Sequence, residues 1–144
     1  MDAAAAAFAG RIREAAETGR PLQVRGGGTK DFYGGVASGE ILDTRECAGI
    51  VSYEPSELVV SARCGTGLAE LESTLAASGQ MLAFEPPHFG PGATLGGCVA
   101  AGLSGPRRAA AGALRDFVLG VRVVDGRGRL LRSEERRVGK ECRL

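Results

Sequence analysis

The stretch that most constrains this chain is Arg25-Gly26-Gly27-Gly28-Thr29-Lys30. It follows the apolar run Leu22-Gln23-Val24, so it reads as a turn at a strand end. Glycine adopts left-handed backbone conformations at little steric cost, so three in succession can curl their N–H groups toward one point. A concave array of N–H groups is an anion cradle, and flanking cations suit a phosphate. The stretch therefore predicts a diphosphate-binding turn, with a flexible surface loop as the alternative.

The rest of the composition narrows the choice. Glycine accounts for 23 of 144 residues, about twice the ordinary share. The glycines cluster at 26–28, 34–35, 65–67, 90–97 and 102–105 without a three-residue period, which excludes collagen. Clustering of this kind suits a chain that approaches a ligand with bare backbone. The net charge of +1 carries no footprint for nucleic acid, and none is expected as a partner. Cys47, Cys64, Cys98 and Cys142 form no C-x-x-C pair and His88 is the only histidine, so neither zinc nor an iron–sulfur cluster is expected. No secretory h-region is apparent, which makes buried free thiols in a reducing cytoplasm the expected state. No apolar run approaches the roughly 20 residues of a transmembrane helix.

In chain order, residues 3–18 predict a helix with Phe8, Ile12, Ala15 and Ala16 on one face, stopped by Gly19 and Pro21. Strands are expected at 22–25, 40–43, 49–53 and 58–63. A helix is expected over 68–78, with Thr66 as its N-cap and Gly79 as its end. Met81-Leu82-Ala83 reads as a short strand. Thr94 reads as the N-cap of a glycine-rich helical turn reaching Gly102, whose N-terminus would be a second anion-facing element. Val118–Val124 reads as a strand, Asp125-Gly126-Arg127-Gly128 as a hairpin turn, and Arg129-Leu130-Leu131 as the return strand. The alternation suggests α+β or α/β, with no internal repeat.

Two standard nucleotide folds do not fit. A dinucleotide-binding Rossmann unit needs G-x-G-x-x-G opening a helix, yet Gly28 is followed by Thr-Lys-Asp-Phe-Tyr-Gly. No G-x-x-x-x-G-K-[ST] is present. The order of motifs instead resembles the FAD-binding domain of the vanillyl-alcohol oxidase/p-cresol methylhydroxylase (PCMH) family. An R-G-x-G-[TH] turn after a strand corresponds to Arg25–Lys30, and P-x-x-A-T-[LIV]-G-G corresponds to Pro91–Gly97. The blocks Ala101-Gly102-Leu103-Ser104-Gly105-Pro106-Arg107-Arg108 and Leu114–Val121 resemble the family's 2-hydroxyacid dehydrogenase branch. Ser78–Leu82 and Glu85-Pro86-Pro87-His88-Phe89-Gly90 resemble the FAD-binding subunits of bacterial glycolate-oxidising complexes.

That resemblance implies an α+β fold of PCMH type: a small parallel or mixed sheet subdomain, then the start of a larger mixed-sheet subdomain. It implies that FAD is held by Arg25, Gly26, Gly27, Gly28, Thr29 and Lys30 together with Pro91, Gly92, Ala93, Thr94, Leu95, Gly96 and Gly97. Many relatives carry a histidine bonded to the flavin where this chain has Thr29, so non-covalent FAD is expected. The implied reaction oxidises a small 2-hydroxy acid, glycolate to glyoxylate, with hydride transfer to flavin. The implied partners are a sister FAD subunit and an iron–sulfur subunit, in the cytoplasm at the inner face of the membrane. Two alternatives stand beside it: a single-chain FAD-dependent dehydrogenase of D-lactate or another 2-hydroxy acid, and a non-catalytic flavin-holding scaffold subunit.

Individual side chains keep two readings each. Arg25 and Lys30 are phosphate-facing cations or ordinary surface charges. His88 is either a base or a loop residue whose evident carboxylate partner is Glu85. Arg107 and Arg108 read as a solvated pair, with a substrate carboxylate as the alternative. Cys98 reads as a small buried thiol, and Asp116 as a cap for the strand after it. No catalytic residue is assigned.

From Arg132 the charge density jumps and apolar periodicity vanishes. Residues 1–131 read as the N-terminal part of the FAD-binding domain. Residues 132–144 read as a non-native tail resembling a translated sequencing adaptor. The native chain is then expected to break off near Leu131, so that the fragment itself is inactive.

Overall fold

In the computed structural model, which describes residues 2–133, Asp2 starts the first helix, α1 (Ala3–Thr18). Its carboxylate accepts from the Ala4 N–H at 2.9 Å and the Ala5 N–H at 3.3 Å. The Arg63 guanidinium donates to the same carboxylate at 2.9 Å. Gly19 ends α1 in the left-handed conformation, φ 65°, which a residue with a Cβ resists. Phe8, Ala9 and Ala15 are buried, whereas Ala16 is exposed.

Strand β1 (Leu22–Arg25) pairs in parallel with β2 (Glu40–Asp43), placing Val24 opposite Leu42. Parallel neighbours need a crossover connection, usually a helix. Here the crossover is residues 26–39, which open with the three glycines at the carboxyl end of β1. Strand β3 (Ile50–Glu54) returns antiparallel to β4 (Val59–Ala62), with an irregularity between Ile50 and Ser52. Strands β5 (Arg122–Val124) and β6 (Leu130–Arg132) form a third pair, a hairpin. Its turn lies on α1: Arg13 donates to the Gly128 carbonyl at 3.1 Å.

Helix α2 (Leu68–Ala76) begins at Gly67, not at a side-chain cap. Thr66 does not cap it. Its hydroxyl instead accepts from the Gly49 N–H at 2.9 Å and lies 3.1 Å from the Gly49 carbonyl, to which it donates. Helix α3 (Leu95–Ala101) has Thr94 as N-cap and left-handed Gly102 after its end. Two short turns of helix follow, α4 (Arg108–Ala111) and α5 (Leu114–Phe117).

Two strand expectations are corrected. Met81-Leu82-Ala83 pairs with no strand among the described residues. The segment at 118–124 is a strand only from Arg122. Its front is displaced by α5, where Asp116 accepts from the Ala113 N–H at 2.8 Å and Ser104 Oγ accepts from the Leu114 N–H at 3.1 Å. Arg132 and Ser133, expected in the tail, extend the hairpin, with Ser133 N–H bonded to the Val121 carbonyl at 3.1 Å. The remainder of the proposed tail lies outside the described residues.

The core has two parts. Phe8, Leu42 and Cys47 pack together with Ile12 and Leu22, fixing α1 to the β1–β2 pair. Leu68, Phe84, Ala93, Cys98 and Leu114 form the second cluster, with Leu82 and Val99 against it. Leu68 and Leu71 are fully buried, and burial of each contributes about 2 kcal/mol. The second cluster anchors both ends of the segment that carries Pro91–Gly97. No helix among the described residues is long and apolar enough to cross a membrane.

Candidate cofactor-binding site

The two glycine stretches, separated by some sixty residues of chain, meet face to face. A Cβ on Gly27 would overlap the Gly92 carbonyl, and one on Gly26 would lie 2.6 Å from Thr94 Oγ1. Thr29 completes the junction, its Cγ2 facing Gly90 and Gly92. The contact is backbone against backbone, so glycine at 27 is demanded by packing between the turns. Thr44, which the sequence reading did not single out, braces the first turn by donating to the Arg25 carbonyl at 3.3 Å.

The junction also presents donors. Among the described residues, the N–H groups of Gly27, Gly28, Thr29 and Lys30 enter no hydrogen bond, and neither do those of Gly92, Ala93 and Thr94. Seven backbone donors at the meeting of two turns fit a ligand with many anionic oxygens, such as a diphosphate. The start of α3 contributes none of them. The Leu95 N–H is taken by the Thr66 carbonyl at 2.9 Å, Gly96 by the Cys64 carbonyl at 2.7 Å, and Gly97 by Thr94 Oγ1 at 3.2 Å. The helix N-terminus expected as an anion site is therefore already satisfied, and the open donors lie just before it. Gly96 has a packing role of its own, since a Cβ there would lie 2.8 Å from Cys64 Cβ.

The cations of the first turn each have a partner within the two turns. The Arg25 guanidinium folds over Gly28 (φ 71°) and pairs with Asp31 at 2.5 Å. That pair holds the Asp31 carboxyl below its ordinary range and makes Arg25 a strut of the turn. Lys30 Nζ lies 5.9 Å from the centre of the Phe89 ring, close enough for attraction to its face. Phe89 meets Phe32 edge to face at 5.1 Å. The two turns are thus bridged by a Lys30–Phe89–Phe32 cluster that no periodic pattern of residues marks.

His88 has a carboxylate partner, but it is Glu72 on α2 at 2.8 Å, not Glu85. Glu85 instead accepts from the Arg107 N–H at 2.9 Å. Cys98 is a buried thiol, and burial pushes its pKa up. Cys47 is likewise raised, to about 11, chiefly by burial. Among the described residues no three His, Cys, Asp or Glu side chains stand together as a metal site.

Proteins similar in sequence point to one family, and solved structures share the fold. A family model described as an FAD binding domain matches residues 4–134. The glycolate oxidase subunit GlcE of Escherichia coli (strain K12) is 48% identical over 122 residues, covering 85% of this chain and 35% of GlcE. The chain thus spans about a third of the length of that curated relative. Xylooligosaccharide oxidase from Myceliophthora thermophila C1 shares the fold with a TM-score of 0.74 at 22% identity, over 93% of this chain and 28% of the oxidase. 6-Hydroxy-D-nicotine oxidase from Arthrobacter nicotinovorans does so with a TM-score of 0.71 at 22% identity, over 91% of this chain and 28% of its own. With the model match running almost the whole chain, this protein belongs to the FAD-binding domain family.

Proposed function

We propose that this chain is the N-terminal part of the FAD-binding subunit of a 2-hydroxyacid oxidase complex acting on glycolate, and that the junction of its two glycine turns grips the FAD diphosphate. The observation that carries the site is the approach of Gly27 to Gly92, lined by seven backbone N–H groups with no partner among the described residues. The similarity to glycolate oxidase subunit GlcE supports the choice of substrate and complex. FAD, when bound, supplies the acceptor for the hydride that leaves the α-carbon of the hydroxy acid.

The chain's own part is binding and orientation. Gly27–Lys30 and Gly92–Thr94 donate to phosphate oxygens, while the Arg25–Asp31 pair keeps the first turn in its curled form. Thr29 offers no nitrogen for attachment to the flavin, so the cofactor is held without a covalent bond. Catalytic groups, the sister FAD subunit and the iron–sulfur subunit that takes the electrons complete the enzyme. The assembly sits in the cytoplasm, at the inner face of the membrane through its partners.

The full-length subunit, purified from cells supplied with flavin, should be yellow and release all of its FAD on acid precipitation. Its complex should reduce an artificial dye with glycolate. Gly27→Val should lose the colour, because a branched side chain cannot enter the space held by the Gly92 carbonyl. A colourless wild-type subunit, or full flavin content in the Gly27→Val variant, would overturn the assignment. Dye reduction with D-lactate by the lone subunit would favour a single-chain dehydrogenase instead.

A further inference from the structure

The segment that delivers the second glycine turn is held in a costly shape. Glu85 and Phe89 both have positive φ, 49° and 55°. Non-glycine residues there cost about 1 kcal/mol each, and such conformations persist only where surrounding contacts fix them. At Glu85 the fixing contacts are evident: its N–H bonds the Leu82 carbonyl at 3.1 Å, the Gly105 N–H bonds the neighbouring Phe84 carbonyl at 2.9 Å, and its carboxylate takes the Arg107 N–H. At Phe89 the contacts are the Phe32 ring and Lys30. Between these two points the loop stands off α2. A groove of about 390 Å³ separates them, lined by Glu72, Gln80, Met81, Glu85, Pro86 and His88. The hydrogen bond that spans it is His88 Nε2 to Glu72 Oε2 at 2.8 Å.

We propose that the Glu72–His88 pair is a positioning tie: α2 holds the 86–92 loop through it and so sets the distance between the two glycine turns. Neither residue touches the open N–H groups. They act through Phe89 and Gly90, which press on Phe32, Lys30 and Thr29 of the first turn. Without the tie, the loop relaxes into the groove, Phe89 leaves the left-handed region, and Gly92 withdraws from Gly27. As a cofactor-positioning role, the inference rests on the FAD reading. As a tie between α2 and the loop, it stands without it.

The test uses the full-length subunit with Glu72→Ala, His88→Ala, the double variant and His88→Gln, whose amide nitrogen can reach the Nε2 position. Hydrogen exchange of the flavin-free protein should show amides of residues 89–94 exchanging faster in both alanine variants, while the amides of α1 and β3 are unchanged. FAD Kd, read by flavin fluorescence, should rise about fivefold in each single variant, as expected for one charge-assisted contact. The double variant should be no worse than the singles, and His88→Gln should recover most of the loss. Unchanged exchange at 89–94 in both alanine variants would overturn the tie, as would single-variant effects on Kd that add. A wild-type subunit that takes up no FAD would overturn the cofactor reading, while faster exchange in the same variants would still support the tie.

Discussion

The hydroxyl of Thr66 replaces a backbone partner for Gly49. It accepts from the Gly49 N–H and donates to the Gly49 carbonyl, inside a residue with no solvent exposure. The two ends of that exchange are unequal. The Gly49 carbonyl also accepts from the Arg63 N–H at 3.0 Å, whereas its N–H has Thr66 alone among the described residues. Thr66→Val keeps the shape and leaves that part-buried N–H without an acceptor, which should cost about 1 kcal/mol in urea unfolding. Thr66→Ser should retain most of the stability. A Val variant as stable as wild type would mean that water reaches Gly49. The same residue shows where reading the chain as a string fails. A threonine ahead of an apolar helical repeat is a sound N-cap signal, but a hydroxyl takes the partner nearest in space, and Gly49 is seventeen positions away. His88 failed for the same reason: Glu85 is close in sequence, Glu72 in space. By contrast, Thr94 as the cap of α3 and Gly102 as its end were legible, since both rest on contacts within one turn of helix.

At the scale of elements, what could be read was what local contacts decide. Helix α1 runs over 3–18 as its alanines and the Gly19-Arg20-Pro21 stop predicted. The strands β1 to β4 lie within a residue or so of their expected places. The misses were segments whose state depends on a distant partner. Met81-Leu82-Ala83 has the composition of a strand but no edge to join. Val118–Val121 is rich enough in apolar residues for a strand, yet Asp116 and Ser104 satisfy N–H groups that favour a helical turn before it. Helix α1 also carries an avoidable weakness. Gly10 sits in its interior with ordinary φ and open space where a Cβ would stand. Glycine there costs roughly 0.5–1 kcal/mol relative to alanine, because the unfolded chain has more freedom to lose. Gly10→Ala should therefore raise stability by about that amount and leave flavin content unchanged. A drop in thermal midpoint would mean that Gly10 faces a close neighbour.

Across the whole molecule, carboxylates act as clasps, one between distant parts of the chain and the others across single turns. Asp2 joins the start of α1 to Arg63 beyond β4, Asp31 holds Arg25 across the first glycine turn, and Asp43 with Arg45 closes the end of β2. Asp125 shapes the β5–β6 turn by accepting from the Arg129 and Arg127 N–H groups and from the Arg129 side chain. The meeting of Gly27 with Gly92 was legible only as a family resemblance, because neither spacing nor composition says which turns face each other. The carboxylate network was not legible in the sequence at all. Its acid response follows from the pKa directions. Asp43 is lowered from 3.8 to about 2 chiefly by the Arg45 side chain, and Asp125 to about 2 chiefly by the Arg129 N–H. Asp2 and Asp31 are lowered as well, first by Arg63 and Arg25 respectively. For each, the unfolded chain binds the proton more readily than the folded one between these values. The stabilisation is therefore fully present above the unfolded value near 4 and is lost as pH falls through the lowered folded value, which for Asp43 and Asp125 is about 2. The urea midpoint of the chain, followed by circular dichroism, should hold steady from pH 7 to about 5 as far as these groups decide it, then fall steeply between about 4 and 2. Because the pairs are exposed, added salt should make the fall shallower. A midpoint that stays level down to pH 2 would show that the clasps do not contribute to holding the parts together.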